Sequence, residues 1–109
     1  MNSQALTILS AENFEQEVVL FQGVAMIDFW AEWCGPCRAL APVIDQLAEA
    51  YHGKVKICKL NIDENGELAA KYGVMSIPTV IIFKNGTEME RLVGLRPAES
   101  FSELLDSYV

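Results

Sequence analysis

Basic residues are the scarcer charge in this sequence: 8 Lys and Arg stand against 15 Asp and Glu in 109 residues, a formal net charge of −7 at pH 7. The acidic residues are spread along the chain and do not gather in a tail. Such a charge favours solubility and argues against a nucleic-acid backbone or an anionic membrane as partner. No apolar stretch approaches the roughly 18 residues of a membrane-spanning helix. The start, Met1-Asn2-Ser3-Gln4, has no basic residue and leads into no apolar core with a small-residue cleavage site, so it does not read as a secretory signal. Cysteine is sparse and odd in number, with three residues, which excludes the paired framework of a disulfide-stapled secreted mini-protein. Repeats, low-complexity tracts and Pro/Ser-rich linkers are missing, so the sequence offers no place to divide it. The expectation is a single domain over residues 1–109, cytoplasmic, in a compartment that keeps ordinary thiols reduced.

What is present points to a globular α/β chain. Apolar residues make up 51% and charged residues 21%, which excludes a disordered polymer. A chain of this length buries about two-thirds of the surface its unfolded form exposes, enough for a core without staples. Ala5 to Leu9 reads as a short strand, with Ser10 as cap of a helix whose Phe14, Val18 and Phe21 recur at helical spacing up to Gly23. Val24 to Trp30 is a near-continuous apolar run interrupted only by Asp28, the pattern of a strand covered on both faces. A long helix starts near Cys34, with Leu40, Val43, Ile44, Leu47, Ala48 and Tyr51 on one stripe and a kink expected at Pro42. Val55 to Ile62 is the next strand. A short helix follows, capped by Asp63 or Asn65 and stopped at Gly73. Thr79 to Phe83 and Glu88 to Val93 flank Lys84-Asn85-Gly86, a strong hairpin signal. The last helix opens at Pro97 and buries Phe101, Leu104, Leu105 and Tyr108. The order is βαβαβαββα, a mixed sheet with helices on both faces.

Chemistry concentrates in Trp33-Cys34-Gly35-Pro36-Cys37. Positions i and i+3 of a helix are neighbours, so the two thiols can close a disulfide with little backbone movement. Cys34 falls at the helix N-terminus, where unpaired N–H groups and the positive end of the dipole favour a thiolate. Cys37 aligns with Leu40, Ala41 and Ile44 and faces inward. This asymmetry assigns Cys34, the exposed thiol, to attack and Cys37, the shielded one, to resolution of a mixed disulfide. Asp28 is costly in a buried strand unless it is paired, hydrogen-bonded or protonated. It reads either as a cap at the strand end or as a group of raised pKa that exchanges a proton with Cys37. Cys58, in mid-strand, reads as a small buried hydrophobe, and the single histidine, His52, as a solvated residue after the long helix.

These residues resemble the thioredoxin family over nearly the whole chain. The resemblance rests on Asp28-Phe29-Trp30-Ala31-Glu32-Trp33-Cys34-Gly35-Pro36-Cys37, Pro42, Lys59-Leu60-Asn61-Ile62-Asp63, Ile77-Pro78-Thr79, Phe83-Lys84-Asn85-Gly86 and Val93-Gly94. It implies a thioredoxin fold, a central mixed five-stranded sheet flanked by four helices. It implies a general protein thiol–disulfide reductase and electron carrier in which Lys59 assists Asp28. It also implies a cis bond before Pro78, and an apolar docking rim of Trp33, Gly35, Pro36, Ile77, Pro78, Val93 and Gly94; each of these also fits ordinary strand-end packing. No bound cofactor is implied. The implied partners are a thioredoxin reductase and disulfide-containing protein substrates such as reductases and peroxidases, served by a monomer. The sequence departs from the commonest family pattern at Arg38, Ser76 and Leu95, which bears on partner choice. Two other readings stand beside this one: a thioredoxin-fold binding subunit whose dithiol is incidental, and a metal site built from the three cysteines and His52.

Overall fold

The computed structural model describes residues 5–109, so Met1-Asn2-Ser3-Gln4, on which the reading of the chain's start rests, lie outside the described residues. Five strands form one sheet: β1 (Leu6–Ile8), β2 (Val24–Trp30), β3 (Val55–Asn61), β4 (Thr79–Lys84) and β5 (Thr87–Val93), in the spatial order β1-β3-β2-β4-β5. β1, β3 and β2 run parallel, and β4 and β5 are antiparallel additions to the same sheet. The α-helices are α1 (Gly35–Ala50), α2 (Gly66–Lys71) and α3 (Ala98–Tyr108). The fourth expected helix, after β1, is instead a short π-helical segment, Glu15–Val19, closed by the Leu20 N–H donating to the Glu15 carbonyl.

Six of the seven β2 residues, Val24 to Phe29, are buried, because β2 is the central strand and both its faces are covered. Alternation sorts the strands into two rows. On one face Val24, Met26, Ile57, Val80 and Ile82 pack against Leu40, Ile44 and Leu47 of α1 and Phe101 and Leu105 of α3. On the other, Ile27, Phe29, Cys58, Leu60, Ile81 and Phe83 pack against Phe14 and Val18 of the π-helical segment, with Leu68 and Tyr72 of the α2 region. Tyr72 lies edge-on to Phe83, with ring centroids 5.7 Å apart. Burial of an aliphatic side chain contributes about 1.5–3 kcal/mol, so each face supplies a substantial core.

Several local expectations change. Ser10 does not cap through its hydroxyl. Its carbonyl accepts the Asn13 and Phe14 N–H groups, while the Asn13 side chain takes the Ser10 N–H and donates to Ile8. Phe21 leaves the core stripe and lies under the Lys56 ammonium, 3.8 Å from its ring centre, because the π turn rotates it away. α1 runs through Pro42, as the sequence reading has it; the missing proline N–H removes one bond and does not end the helix. Asn65, not Asp63, precedes α2, and it makes no side-chain cap. Pro97 precedes α3 as its cap residue. Among the described residues no helix is long and apolar enough to cross a membrane.

The hairpin between β4 and β5 turns at Asn85 and Gly86, with φ of 52° and 82°, the pair of positive values that a two-residue turn of primed type requires. Gly86 has a second constraint: a Cβ there would overlap the Val19 carbonyl oxygen, which is backbone and cannot rotate away. Gly86→Ala is therefore expected to lose about 2 kcal/mol or more of stability, beyond the usual cost of alanine at positive φ. Urea denaturation at equilibrium measures it; a loss under about 0.5 kcal/mol would contradict the close approach.

Candidate active site

β2 ends at Trp30 and the chain turns through Ala31–Trp33 into α1, so the cysteine pair lies at the C-terminal edge of the sheet, where ligands of open α/β folds bind. Cys34 is the N-cap of α1, in extended conformation, and Pro36 occupies the first turn, where it breaks no helical bond. Cys34 and Cys37 are joined as a disulfide, with Cα atoms 5.2 Å apart. The Cys37 N–H donates to the Cys34 sulfur at 3.2 Å, so the open amide of the first turn points at this sulfur and not at the other.

The expected contrast in exposure is small. Cys34 is 5% and Cys37 2% exposed, because in the disulfide state both sulfurs sit in a cluster with Ala31, Trp30, Ile62 and Ile77. The difference between them is electrostatic: Cys34 receives the helix amide, and Cys37 lies one turn inside. The peptide bond between Ile77 and Pro78 is cis, as the resemblance implies. The Ile77 carbonyl oxygen lies 3.8 Å from the Cys34 sulfur. The Gly94 N–H donates to the Pro78 carbonyl at 2.8 Å, bringing the end of β5 beside this loop. Trp33, 67% exposed, and Val93 project at the surface. Gly35 and Pro36 are also exposed, whereas Pro78 is buried. Ile77 thus lies against Cys34, with Gly94 beside Pro78 at the end of β5, while Trp33, Gly35 and Pro36 flank Cys34 along the chain.

Sequence reasoning missed two supports of this edge. The Trp33 indole N–H donates to Asp63 at 2.9 Å, which fixes the exposed ring; Asp63 had read only as a helix cap. Arg38 donates to the Glu32 carbonyl at 2.7 Å, bracing the turn before Cys34. Spacing gives no signal for either, since the partners lie on different segments or on backbone.

Asp28 is fully buried, and neither carboxylate oxygen has a hydrogen-bond partner among the described residues. Its register partner across β2 and β3 is Lys59, so both side chains leave the same face of the sheet, the one α1 covers. The Lys59 ammonium stands 4.5 Å over the Trp30 ring. α1, whose first turn carries Cys37, covers the face of the sheet that the Asp28 side chain leaves. Burial pushes the Asp28 pKa up to about 7, and the Lys59 charge moderates the rise. Burial also pushes Cys58 up to about 12, which makes it inert as a nucleophile. Cys58 faces the opposite side of the sheet, and His52 follows the far end of α1. The metal set of three cysteines and His52 is therefore not assembled.

An i, i+3 cysteine pair capping a helix in an apolar rim defines a thiol–disulfide oxidoreductase site. The thioredoxin family model matches residues 5–107. Thioredoxins of Staphylococcus aureus and Staphylococcus haemolyticus are 47% and 46% identical over 105 residues, covering 96% of this chain and 99% of theirs. A solved mutant thioredoxin of Halobacterium salinarum superposes with a TM-score of 0.87 at 34% identity, over 99% of this chain and 95% of that one. The chain belongs to the thioredoxin family. It is a protein-disulfide reductase carrying the family's cysteine pair.

The Asp28 shift has a definite sign. An unfolded carboxylate ionises near 3.8 and the folded one near 7, so between these values the unfolded chain has released a proton that the folded chain retains. Stability attached to this group is full below about pH 4 and is lost as pH rises through 7. At about 1.4 kcal/mol per pH unit of separation, the ceiling is about 4 kcal/mol. Asp28→Ala is expected to exceed the wild type by about 2–3 kcal/mol at pH 8, after the cost of a small cavity, with no gain at pH 4. Denaturation curves at both pH values test this; a gain independent of pH would contradict it.

Proposed function

We propose that the protein reduces disulfides of other proteins through a reversible Cys34–Cys37 dithiol, with Cys34 as nucleophile. The observation that carries the assignment is the Cys37 N–H donating to the Cys34 sulfur at the start of α1, a contact that stabilises negative charge on that atom. In the reduced protein the Cys34 thiolate attacks one sulfur of the substrate disulfide. That S–S bond breaks, and the departing sulfur leaves as a thiolate that takes up a proton. Cys37 then gives its proton to the Asp28 carboxylate and attacks the Cys34 sulfur, releasing the second substrate thiolate. Two electrons have passed to the substrate, and the chain holds its own disulfide.

A carboxyl with a pKa of about 7 suits a group that must both accept and return a proton near neutrality. Lys59, its register partner, keeps it from rising further. Trp33, Gly35, Pro36, Ile77, Pro78, Val93 and Gly94 form the docking rim, with an extended substrate segment lying against the backbone of Ile77. The electrons come from a thioredoxin reductase, and no bound cofactor enters the cycle. The recipients are disulfide-forming reductases and peroxidases, and the protein acts as a cytoplasmic, single-domain monomer. This reading takes the place of a binding subunit with an incidental dithiol.

The test is insulin reduction coupled to a thioredoxin reductase. Cys34→Ser and Cys37→Ser are each expected to lower turnover by about a hundredfold or more. Only Cys37→Ser should accumulate a covalent mixed disulfide, seen as a reducible band on a gel. Trapping by Cys34→Ser instead would reverse the two roles.

A further inference from the structure

We propose that Arg91, held by Glu88, is a positioning residue for disulfide reduction: it clamps the base of the loop 74–78, which carries Ile77 and Pro78 to Cys34. The inference rests on the reading of that loop as part of the docking rim. Arg91 lies on β5 opposite Ile81 of β4, so its side chain leaves the face that α2 and Tyr72 cover. There Nη2 donates to the Tyr72 carbonyl at 2.7 Å and Nη1 to the Gly73 carbonyl at 3.4 Å. Nε and Nη2 donate to the two Glu88 carboxylate oxygens, each at 3.0 Å. Four of the five N–H bonds of a guanidinium are thereby used in one planar arrangement.

Tyr72 closes α2, and its carbonyl is among those a helix C-terminus leaves open; the Gly73 carbonyl follows directly after it. Arg91 satisfies them from another element and ties the end of α2 to β5. Beyond this point the Val74 N–H donates to the Ala69 carbonyl at 2.9 Å and Val74 packs on the core, whereas Met75 is 94% exposed. Its far end is fixed twice, by the Thr79 hydroxyl donating to the Ser76 carbonyl at 2.6 Å and by the Gly94 N–H on Pro78. β5 thus grips both ends of the segment, Arg91 at the entry and Gly94 at the exit. The Ile77 carbonyl, 3.8 Å from the Cys34 sulfur, depends on both grips for its position. An ion pair this exposed adds little stability by itself; its consequence is placement of the carbonyls it binds.

A clamp on a docking segment should appear in substrate binding more than in chemistry. Arg91→Met retains the apolar stem and removes the donors. With insulin and a thioredoxin reductase, its KM for insulin is expected to rise about three- to tenfold, with kcat changing less than about twofold, the scale of one or two lost hydrogen bonds. Arg91→Lys, which keeps the charge and can reach one carbonyl, should recover part of the rise. Glu88→Gln should show a smaller one and serves as the second probe if Arg91→Met folds poorly. Denaturation curves fix the folded fraction of each variant under assay conditions. A KM within experimental error of wild type in both Arg91→Met and Glu88→Gln overturns the proposal, as does a loss that follows the unfolded fraction. Trp33→Ala separates the two levels. If it raises KM while the Arg91 and Glu88 variants do not, the clamp alone is wrong. If none of the three does, the docking rim falls with it.

Discussion

β2 must be covered on both faces, and most of the molecule follows from that requirement. Its buried run, Val24 to Phe29, cannot lie at an edge or face water. A strand with two apolar rows needs neighbours on either side and a layer above and below. β3 and β4 supply the neighbours, α1 and α3 one layer, and the π-helical segment with α2 the other. The chain leaves this central strand at Trp30, so the next helix starts at the sheet's C-terminal edge with its N–H groups unpaired. Placing a cysteine at that cap exploits a field that the layered architecture creates anyway.

The same burial makes Asp28 unusual. It occupies the α1-facing row between Met26 and Trp30, where Val80 flanks it on one side and Lys59 is the one charged neighbour in register, and its oxygens find no hydrogen-bond partner among the described residues. An apolar residue there would satisfy the core better, so the carboxyl costs stability wherever it must ionise. That cost falls in the pH range where thiols exchange protons, and the group lies on the sheet face covered by α1, the helix that carries Cys37. A stability cost of this kind is what the proposed proton exchange with Cys37 would demand of Asp28.

Much of this was legible because the decisive signals are local. The apolar run of β2, the 3.6-residue stripe of α1 and the Asn85-Gly86 turn each declare an element within a few residues. Cys34 and Cys37 declare theirs by spacing alone. The misreadings occur where local rules compete. Phe14, Val18 and Phe21 have helical spacing, yet the chain takes one π turn and directs Phe21 toward Lys56. Asp63 and Asn65 are equally good caps on paper, and a tertiary contact with Trp33 claims Asp63. The near-equal burial of the two cysteines was hidden because Ile62 and Ile77, which cover them, arrive from distant segments. Periodicity describes one element at a time; the site is assembled from several.

The proposed docking edge combines apolar side chains with few free charges of its own, Glu32 being the exposed carboxylate beside Trp33. Trp33, Met75, Val93 and Leu95 project there as exposed apolar groups, while Arg38 and Asp63 are engaged with the turn and the indole. A surface of apolar side chains and open backbone recognises extended apolar segments with little regard to their side chains, since a hydrophobic pocket separates close analogues by only about 1–3 kcal/mol. Strong discrimination would need buried donors and acceptors matched to one partner, and the edge presents few. Selectivity in such an arrangement shifts from contact chemistry to shape and reach. On the proposed docking, the substrate would offer a disulfide on a segment able to lie between Trp33 and the 74–78 loop. Met75 in that loop and Leu95 after Gly94, both exposed, are then the side chains whose size would bear on which segments fit.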